Sequence, residues 1–218
     1  LIAGNFGLNS KYNGTKEEPF EVYYHDLDNN GLKDLVLTYT SEGRKYPYRR
    51  RGDAIAQIPG IAEKFKTYKD YAQSDVFEIY GKENLDRALY YQANTFESVY
   101  IENMGDGTFT FHPLPIEAQF SAVNDILIDD YNNDNHPDIL IAGNMYATEV
   151  RTPRNDAGIG LLLTGDGKGS FKPMNHFESG FFVPYDVKSM MKIEVRGSIH
   201  ILVGCNNDYL HIFKWDGP

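Results

Sequence analysis

The sequence predicts a mainly β protein built of repeated strand units and interrupted once by a small helical insertion. Three observations predict it. First, runs rich in β-branched and aromatic residues recur along the 218 residues, which include 16 Tyr, 13 Phe and 20 Gly. Second, two oxygen-rich nonapeptides, Asp26 to Asp34 and Asp130 to Asp138, each sit between two such runs. Third, a glycine turn ending in Phe occurs twice, as Gly105-Asp106-Gly107-Thr108-Phe109 and as Gly165-Asp166-Gly167-Lys168-Gly169-Ser170-Phe171. A chain that is 41% hydrophobic suffices for a substantial core.

The first element is Leu1-Ile2-Ala3-Gly4-Asn5. It recurs as Leu140-Ile141-Ala142-Gly143-Asn144, with a weaker echo in Leu202-Val203-Gly204-Cys205-Asn206. The second copy directly follows a nonapeptide, so Leu1 reads as the strand after a further, upstream loop. No secretory signal is visible, and any signal peptide or lipid anchor would lie upstream.

Val22-Tyr23-Tyr24 is the next strand and leads into the first nonapeptide. Its oxygen-bearing side chains fall at positions 1, 3, 5 and 9, with glycine at 6. Hard cations such as Ca²⁺ take six to eight oxygens, and a tight loop can wrap alternate side chains and the position-7 carbonyl around one ion. The expected ligands are Asp26, Asp28, Asn30 and Asp34 through side chains and Leu32 through its carbonyl. An EF-hand would need flanking helices and a Glu at position 12, which here is Leu37. The flanks are strands instead, with Leu35 to Tyr39 following. A metal-free Asx-rich turn is the plainer alternative.

The insertion comes next, within residues 42–97. Ile58, Ala62, Phe65 and Tyr68 fall near helical spacing, as do Leu85, Leu89 and Ala93, and Pro59 and Gly81 break the run. Two or three short helices are expected, with Asp53 capping one of them. Ser98 to Ile101 then enters the first glycine hairpin. Asp125 to Ile128 precedes the second nonapeptide, whose expected ligands are Asp130, Asn132, Asp134, Asp138 and the His136 carbonyl. Asn135 stands where the first loop has glycine, and Asn tolerates the left-handed region next best. Ile139 to Ala142 and Gly160 to Leu163 lead to the second hairpin. The last unit, Val183 to Trp215, has strands but no acidic loop.

The spacings set a repeat. Asp138 precedes Asp166 by 28 positions, whereas Asp34 precedes Asp106 by 72, so an insertion of 44 is assigned to the first unit. The two loops lie 104 apart, which leaves a repeat of 60 once the insertion is removed. Leu140 and Leu202 lie 62 apart. Each unit then reads strand, loop, strand, connection, strand, glycine turn, strand. Four antiparallel strands per repeat is the plan of a β-propeller blade. Just under three units are expected, as an arc whose open strand edges would meet further blades or a second copy.

The D-x-D-x-N-G-x-x-D loop between strands, followed by the G-D-G-x-F hairpin, resembles the VCBS/FG-GAP repeats of integrin-alpha-like β-propellers. The stretch from Leu1 through the second hairpin is most similar to the bacterial ASPIC/UnbV-associated group. That resemblance implies a calcium-stabilised propeller, secreted or exposed at the outer surface and used for binding. It implies two calcium sites here and leaves the last unit without one.

The net charge of −10 argues against a nucleic-acid phosphate binder and suits a holder of divalent cations. No apolar run approaches a membrane span, and the single cysteine, Cys205, excludes an internal disulfide. The insertion is the basic part of this acidic chain: Arg44, Lys45, Arg49, Arg50, Arg51, Lys64, Lys66 and Lys69 interleave with Tyr46, Tyr48 and Tyr68. Arg49, Arg50, Arg51, Tyr46 and Tyr48 are the candidate contacts to an anionic glycan or acidic partner. A solvated face paired with the protein's own carboxylates is the blander reading. Arg51-Gly52-Asp53 spells an integrin-recognition tripeptide, a match expected often by chance. No catalytic motif is present; His112 and His176 are isolated. The expected function is non-enzymatic, calcium-dependent recognition of a glycan or protein. The alternative is a carbohydrate-active enzyme with a carboxylate pair, such as Glu149 and Asp156, on the loop from Asn144 to Gly158.

Overall fold

The computed structural model describes residues 1–149 and 151–215. In chain order the strands are β1 (Ile2–Ala3), β2 (Phe20–His25), β3 (Asp34–Ser41), β4 (Arg44–Pro47), β5 (Leu89–Ala93), β6 (Val99–Asn103) and β7 (Phe109–Pro113). They continue as β8 (Val123–Asp129), β9 (Asp138–Gly143), β10 (Leu161–Gly165), β11 (Phe171–Met174), β12 (Val187–Val195), β13 (Ser198–Cys205) and β14 (His211–Trp215). All pair antiparallel, in four sheets. The chain divides into two compact units, Leu1–Lys11 with Phe96–Pro218, and Tyr12–Thr95. Among the described residues no helix is long and apolar enough to cross a membrane.

The Tyr12–Thr95 unit is one sheet, ordered β4-β3-β2-β5, with helices on one face. Five short helices fill the connection from β4 to β5: α1 (Arg51–Gln57), α2 (Ile61–Lys64), α3 (Tyr68–Gln73), α4 (Val76–Tyr80) and α5 (Lys82–Asp86). Their apolar residues, among them Ala54, Ile58, Ile61 and Val76, pack on Tyr23 and Val36 of the sheet. Burial of each such side chain contributes about 1.5–3 kcal/mol. The starts are written locally. The Thr67 hydroxyl accepts from Asp70 N at 3.1 Å, and Asp75 with Glu78 forms a capping box. Helical spacing through Leu85, Leu89 and Ala93 misleads, because Leu85 ends the helical run while Leu89–Ala93 is strand, paired with β2. Asp53 lies in the first turn of α1 and does not cap it; the capping position is Arg50.

The other unit holds three sheets: β1-β6-β7, β8-β9-β10-β11 and β12-β13-β14. Every residue of β9 is buried, because its two faces serve two cores. Ile139 and Ile141, with Leu163, meet Ile2 and Tyr100 of the first sheet. Leu140 and Ala142, with Leu162, meet Val187, Ile201 and Val203 of the third. A short helical turn (Ile116–Gln119) precedes β8, and α6 (His176–Ser179) follows β11.

The recurring Gly-Asn after a strand has a physical reason here. Gly143 passes so near the preceding strand that a Cβ would lie 1.7 Å from the Ala122 carbonyl oxygen. Asn144 then adopts φ 83°. Its amide donates to the carbonyls of Gly158 (2.8 Å) and Tyr185 (2.9 Å), and its oxygen accepts from Ser121 Oγ (2.7 Å). Asn144 thus ties the end of β9 to the segment that enters the third sheet.

Two features differ from the repeat spacing. The hairpin at Gly105 pairs through β6 with β1, not with the strand after the first loop. The described residues therefore hold four sheets where the spacing expected just under three. Spacing arithmetic assumes that neighbours in sequence share a sheet, and here Tyr12–Thr95 intervenes between β1 and its partner. In the third sheet, β12 and β13 join through the two left-handed residues Arg196 and Gly197 (φ 52° and 81°), a tight hairpin where the other units carry an acidic loop.

Candidate functional site

The two nonapeptides have one backbone plan. In the first, the amide of Asn30 donates to Asp26 Oδ1 (3.0 Å) and Asp28 Oδ1 (3.2 Å), Gly31 N to Asp26 Oδ2 (2.9 Å), Leu32 N to Asn30 Oδ1 (2.7 Å) and Leu27 N to Asp34 Oδ2 (2.9 Å). In the second, Asp134 N donates to Asp130 Oδ1 (3.1 Å) and Asn132 Oδ1 (2.9 Å), Asn135 N to Asp130 Oδ2 (2.9 Å), His136 N to Asp134 Oδ1 (2.8 Å) and Tyr131 N to Asp138 Oδ2 (2.9 Å). Position for position, these are the same five bonds. Positions 4 and 6 are left-handed in both: Asn29 (59°) and Gly31 (87°), Asn133 (57°) and Asn135 (66°). Asn is among the few L residues that adopt this region readily, which explains Asn135 in place of glycine. The left-handed position 4, Asn29 and Asn133, falls between the alternating ligand positions 1, 3 and 5, so ligand reasoning passed over it.

Position 2 anchors each loop. Leu27 is buried in the helix-covered core and Tyr131 in the core beneath the third sheet, edge-on to Trp215 at 5.1 Å between ring centres. Position 9 is buried as well, Asp34 at 3% exposure and Asp138 at 0%. Leu32 and His136, at position 7, are exposed.

The donor sets differ in what remains available. In the first loop, one ligand atom from each of Asp26, Asp28 and Asp34 lies within 4.8 Å of the others. Calcium–oxygen distances of about 2.3–2.6 Å allow ligands up to about 5 Å apart across one ion, so this triad fits a calcium ion. Asp28 and Asp34 each keep one oxygen outside any hydrogen bond among the described residues. In the second loop every carboxylate oxygen already accepts a bond. Asp138 Oδ1 takes Gly165 N at 2.8 Å, and Asp134 Oδ2 takes Asn132 Nδ2 at 2.9 Å. The His136 ring stands 3.4 Å from Asp134 Oδ1. The backbone amide of His136 and the Asn132 side chain hold the Asp134 carboxyl below the usual range. Among the described residues, only the first loop gathers three such groups.

The basic insertion is largely engaged within its own unit. Arg44 pairs with Glu78 at 3.0 Å and Asp75 at 3.5 Å. Arg51 Nε donates to the Phe65 carbonyl at 2.6 Å, with its guanidinium over Tyr68. Tyr48 packs among Tyr12, Phe20 and Tyr39, and Tyr46 lies against Tyr39 and Arg44. Arg49 buries its Nε, while Arg50 is exposed. Arg49 and Arg51 are half-buried. Elsewhere, Glu149 accepts from Thr152 Oγ1 at 2.9 Å and sits 3.5 Å from Lys11. His112 bonds Glu102 at 3.0 Å.

One cluster escaped the sequence. Glu21 is 1% exposed on β2 and accepts from Lys45 Nζ (2.6 Å), Tyr90 OH (2.7 Å), Thr38 Oγ1 (3.1 Å) and Tyr23 OH (3.3 Å). Burial raises its pKa, but the Lys45, Tyr90 and Thr38 donors outweigh burial and leave it below the usual glutamate value. Its only sequence signal is a carboxylate inside the apolar run Phe20 to Tyr23. With four donors on one carboxylate, it joins β2 to β3, β4 and β5. Comparison of the chain with protein-family models, curated proteins and solved structures returns no match.

Proposed function

We propose that the chain is a non-enzymatic, calcium-binding recognition module, its antiparallel sheets being blades of an integrin-alpha-like β-propeller of the VCBS/FG-GAP kind. The observation that carries this reading is the shared hydrogen-bond plan of the two nonapeptides, together with the convergence of Asp26, Asp28 and Asp34 in the first. Asp26, Asp28, Asn30, Leu32 and Asp34 hold one calcium; Asp130, Asn132, Asp134, His136 and Asp138 hold the second. Calcium is structural in both, because it offsets the repulsion of three carboxylates in one tight turn. The resemblance implies a module outside the cytoplasm, on a bacterial surface or secreted, with a glycan or protein as its ligand. Turns at the ends of rigid sheets are suited to such binding.

Calcium titration of chelator-treated protein tests the metal. Heat release saturating at two ions per chain, with a melting temperature that rises with free calcium, is the expected result. A melting temperature equal in chelator and in millimolar calcium overturns it. Glycan-array binding without turnover supports the recognition role, and release of a cleaved product overturns the non-enzymatic part.

A further inference from the structure

A cavity of about 340 Å³ opens in the three-sheet unit, and no residue of either nonapeptide lines it. Its floor is the end of β9 at Ala142 and Gly143. One wall is Phe120, and the opposite wall is the segment from Ala157 to Leu161. Gly160 (φ 78°) keeps that wall thin, since a Cβ there would stand 2.7 Å from the Phe181 ring. Met174 closes the side. The lining is mainly apolar, and Phe120 and Ile159 remain 44% and 38% exposed around it. Exposed apolar side chains grouped at a concavity mark binding sites more than bare surface does.

Glu117 and His176 are among the residues that line the cavity, and neither side chain makes a hydrogen bond among the described residues. The His176 ring packs on Phe177 and Phe182, at 4.1 and 5.5 Å between ring centres. The exposed Glu117 carboxylate gives the lining negative charge and repels anions. The chain's charge of −10 draws cations to its surface, and aromatic faces add attraction for an ammonium group.

We infer that this cavity binds a small organic cation that carries an apolar ring, the ring seated against Phe120 and Met174 and the ammonium group directed to Glu117. A cavity of about 340 Å³ has room for one ring of benzyl size.

Amide NMR of the full chain, titrated with benzylamine, benzyl alcohol and benzoate, tests this. Benzylamine should give saturable shifts at Ala142, Gly143, Gly158 and Ile159, binding about five-fold more tightly than benzyl alcohol. Benzoate should bind more weakly than either. Ala157→Trp fills the cavity and should remove the shifts. Glu117→Gln should erase the preference for amine over alcohol and leave alcohol binding in place. If Ala157→Trp does not fold, Phe120→Ala takes its part, with benzylamine affinity expected to fall several-fold. Shifts that persist in Ala157→Trp, benzylamine affinity unchanged in Phe120→Ala, no saturable shift at all, or benzoate binding as tightly as benzylamine would each overturn the proposal.

Discussion

The two nonapeptides share a backbone and differ in how they use their oxygens. In the first, Asp28 and Asp34 each hold an oxygen in reserve, and three carboxylates converge. In the second, Asp138 spans Tyr131 N and Gly165 N, and Asp134 is held by His136 N and Asn132. The same turn can therefore lean toward a cation or toward its own neighbours. What decides is the order of Asp and Asn at positions 3 and 5, and whether a strand offers position 9 a second donor.

The largest effect that tests this contrast is on the calcium-free fold. Asp138→Ala leaves two buried amides without an acceptor and should cost about 2–5 kcal/mol, whereas Asp34→Ala leaves one and should cost about 1–3 kcal/mol. Urea unfolding in chelator measures both, and equal costs would break the comparison. Next comes affinity. Asp28→Ala should weaken calcium at the first loop about ten-fold or more, by removing a charged ligand with a free oxygen. Asn132→Ala should weaken the second loop less; calorimetry showing the reverse order would show that the reserve oxygens do not matter.

Glu21 sharpens the contrast as a carboxylate wholly committed to the fold. Its pKa lies below the unfolded value, so its stabilisation is present above roughly pH 4.5 and is lost as pH falls through the folded value. Glu21→Gln should flatten the acid limb of the stability curve while leaving calcium binding unchanged. An unaltered acid limb would show that Glu21 does not govern acid unfolding. The smallest effect is at position 6. Gly31→Ala puts a Cβ at φ 87° and should cost about 1 kcal/mol or more, while Asn135→Gly should shift stability by less than about 0.5 kcal/mol. Comparable losses would mean that the left-handed geometry is not shared in solution.

The local layer was legible in the sequence. Strands flanking both loops, both glycine hairpins and the helical character of the insertion follow from alternation, Asp-Gly turns and i, i+4 spacing. Pairing between distant segments was not. Nothing in Val99-Tyr100-Ile101 says that its partner is Ile2-Ala3 rather than the strand after Asp34, because both offer similar apolar faces. Leu89–Ala93 was misread because an i, i+4 pattern of apolar residues also fits a strand start beside a helix end. The engagement of Arg44, Arg51 and Tyr48 was equally hidden, since a side chain's partner is set by the folded chain and not by its neighbours in sequence. At the loops, donor identities were legible, but the commitment of Asp138 to Gly165, 27 positions away, was not.

The insertion of Tyr12–Thr95 between β1 and β6 has a kinetic consequence. The Leu1 amine and the Ile101 carbonyl that it meets are 100 positions apart, and closing so long an unstructured loop slows folding. The inserted unit removes most of that delay if it folds first. Its two ends already lie side by side, with Gly14 so near Ala93 that a Cβ would stand 2.5 Å from the Ala93 carbonyl oxygen. Once β2 and β5 are zipped, a search across about a hundred residues shrinks to one across about twenty, from Ala3 to Phe20 and from Ala93 to Val99. The order of events is then fixed by topology: the inserted sheet forms early, and β1 docks late. A destabilised inserted unit would show itself first as slower refolding of the other three sheets, with their unfolding rate scarcely changed.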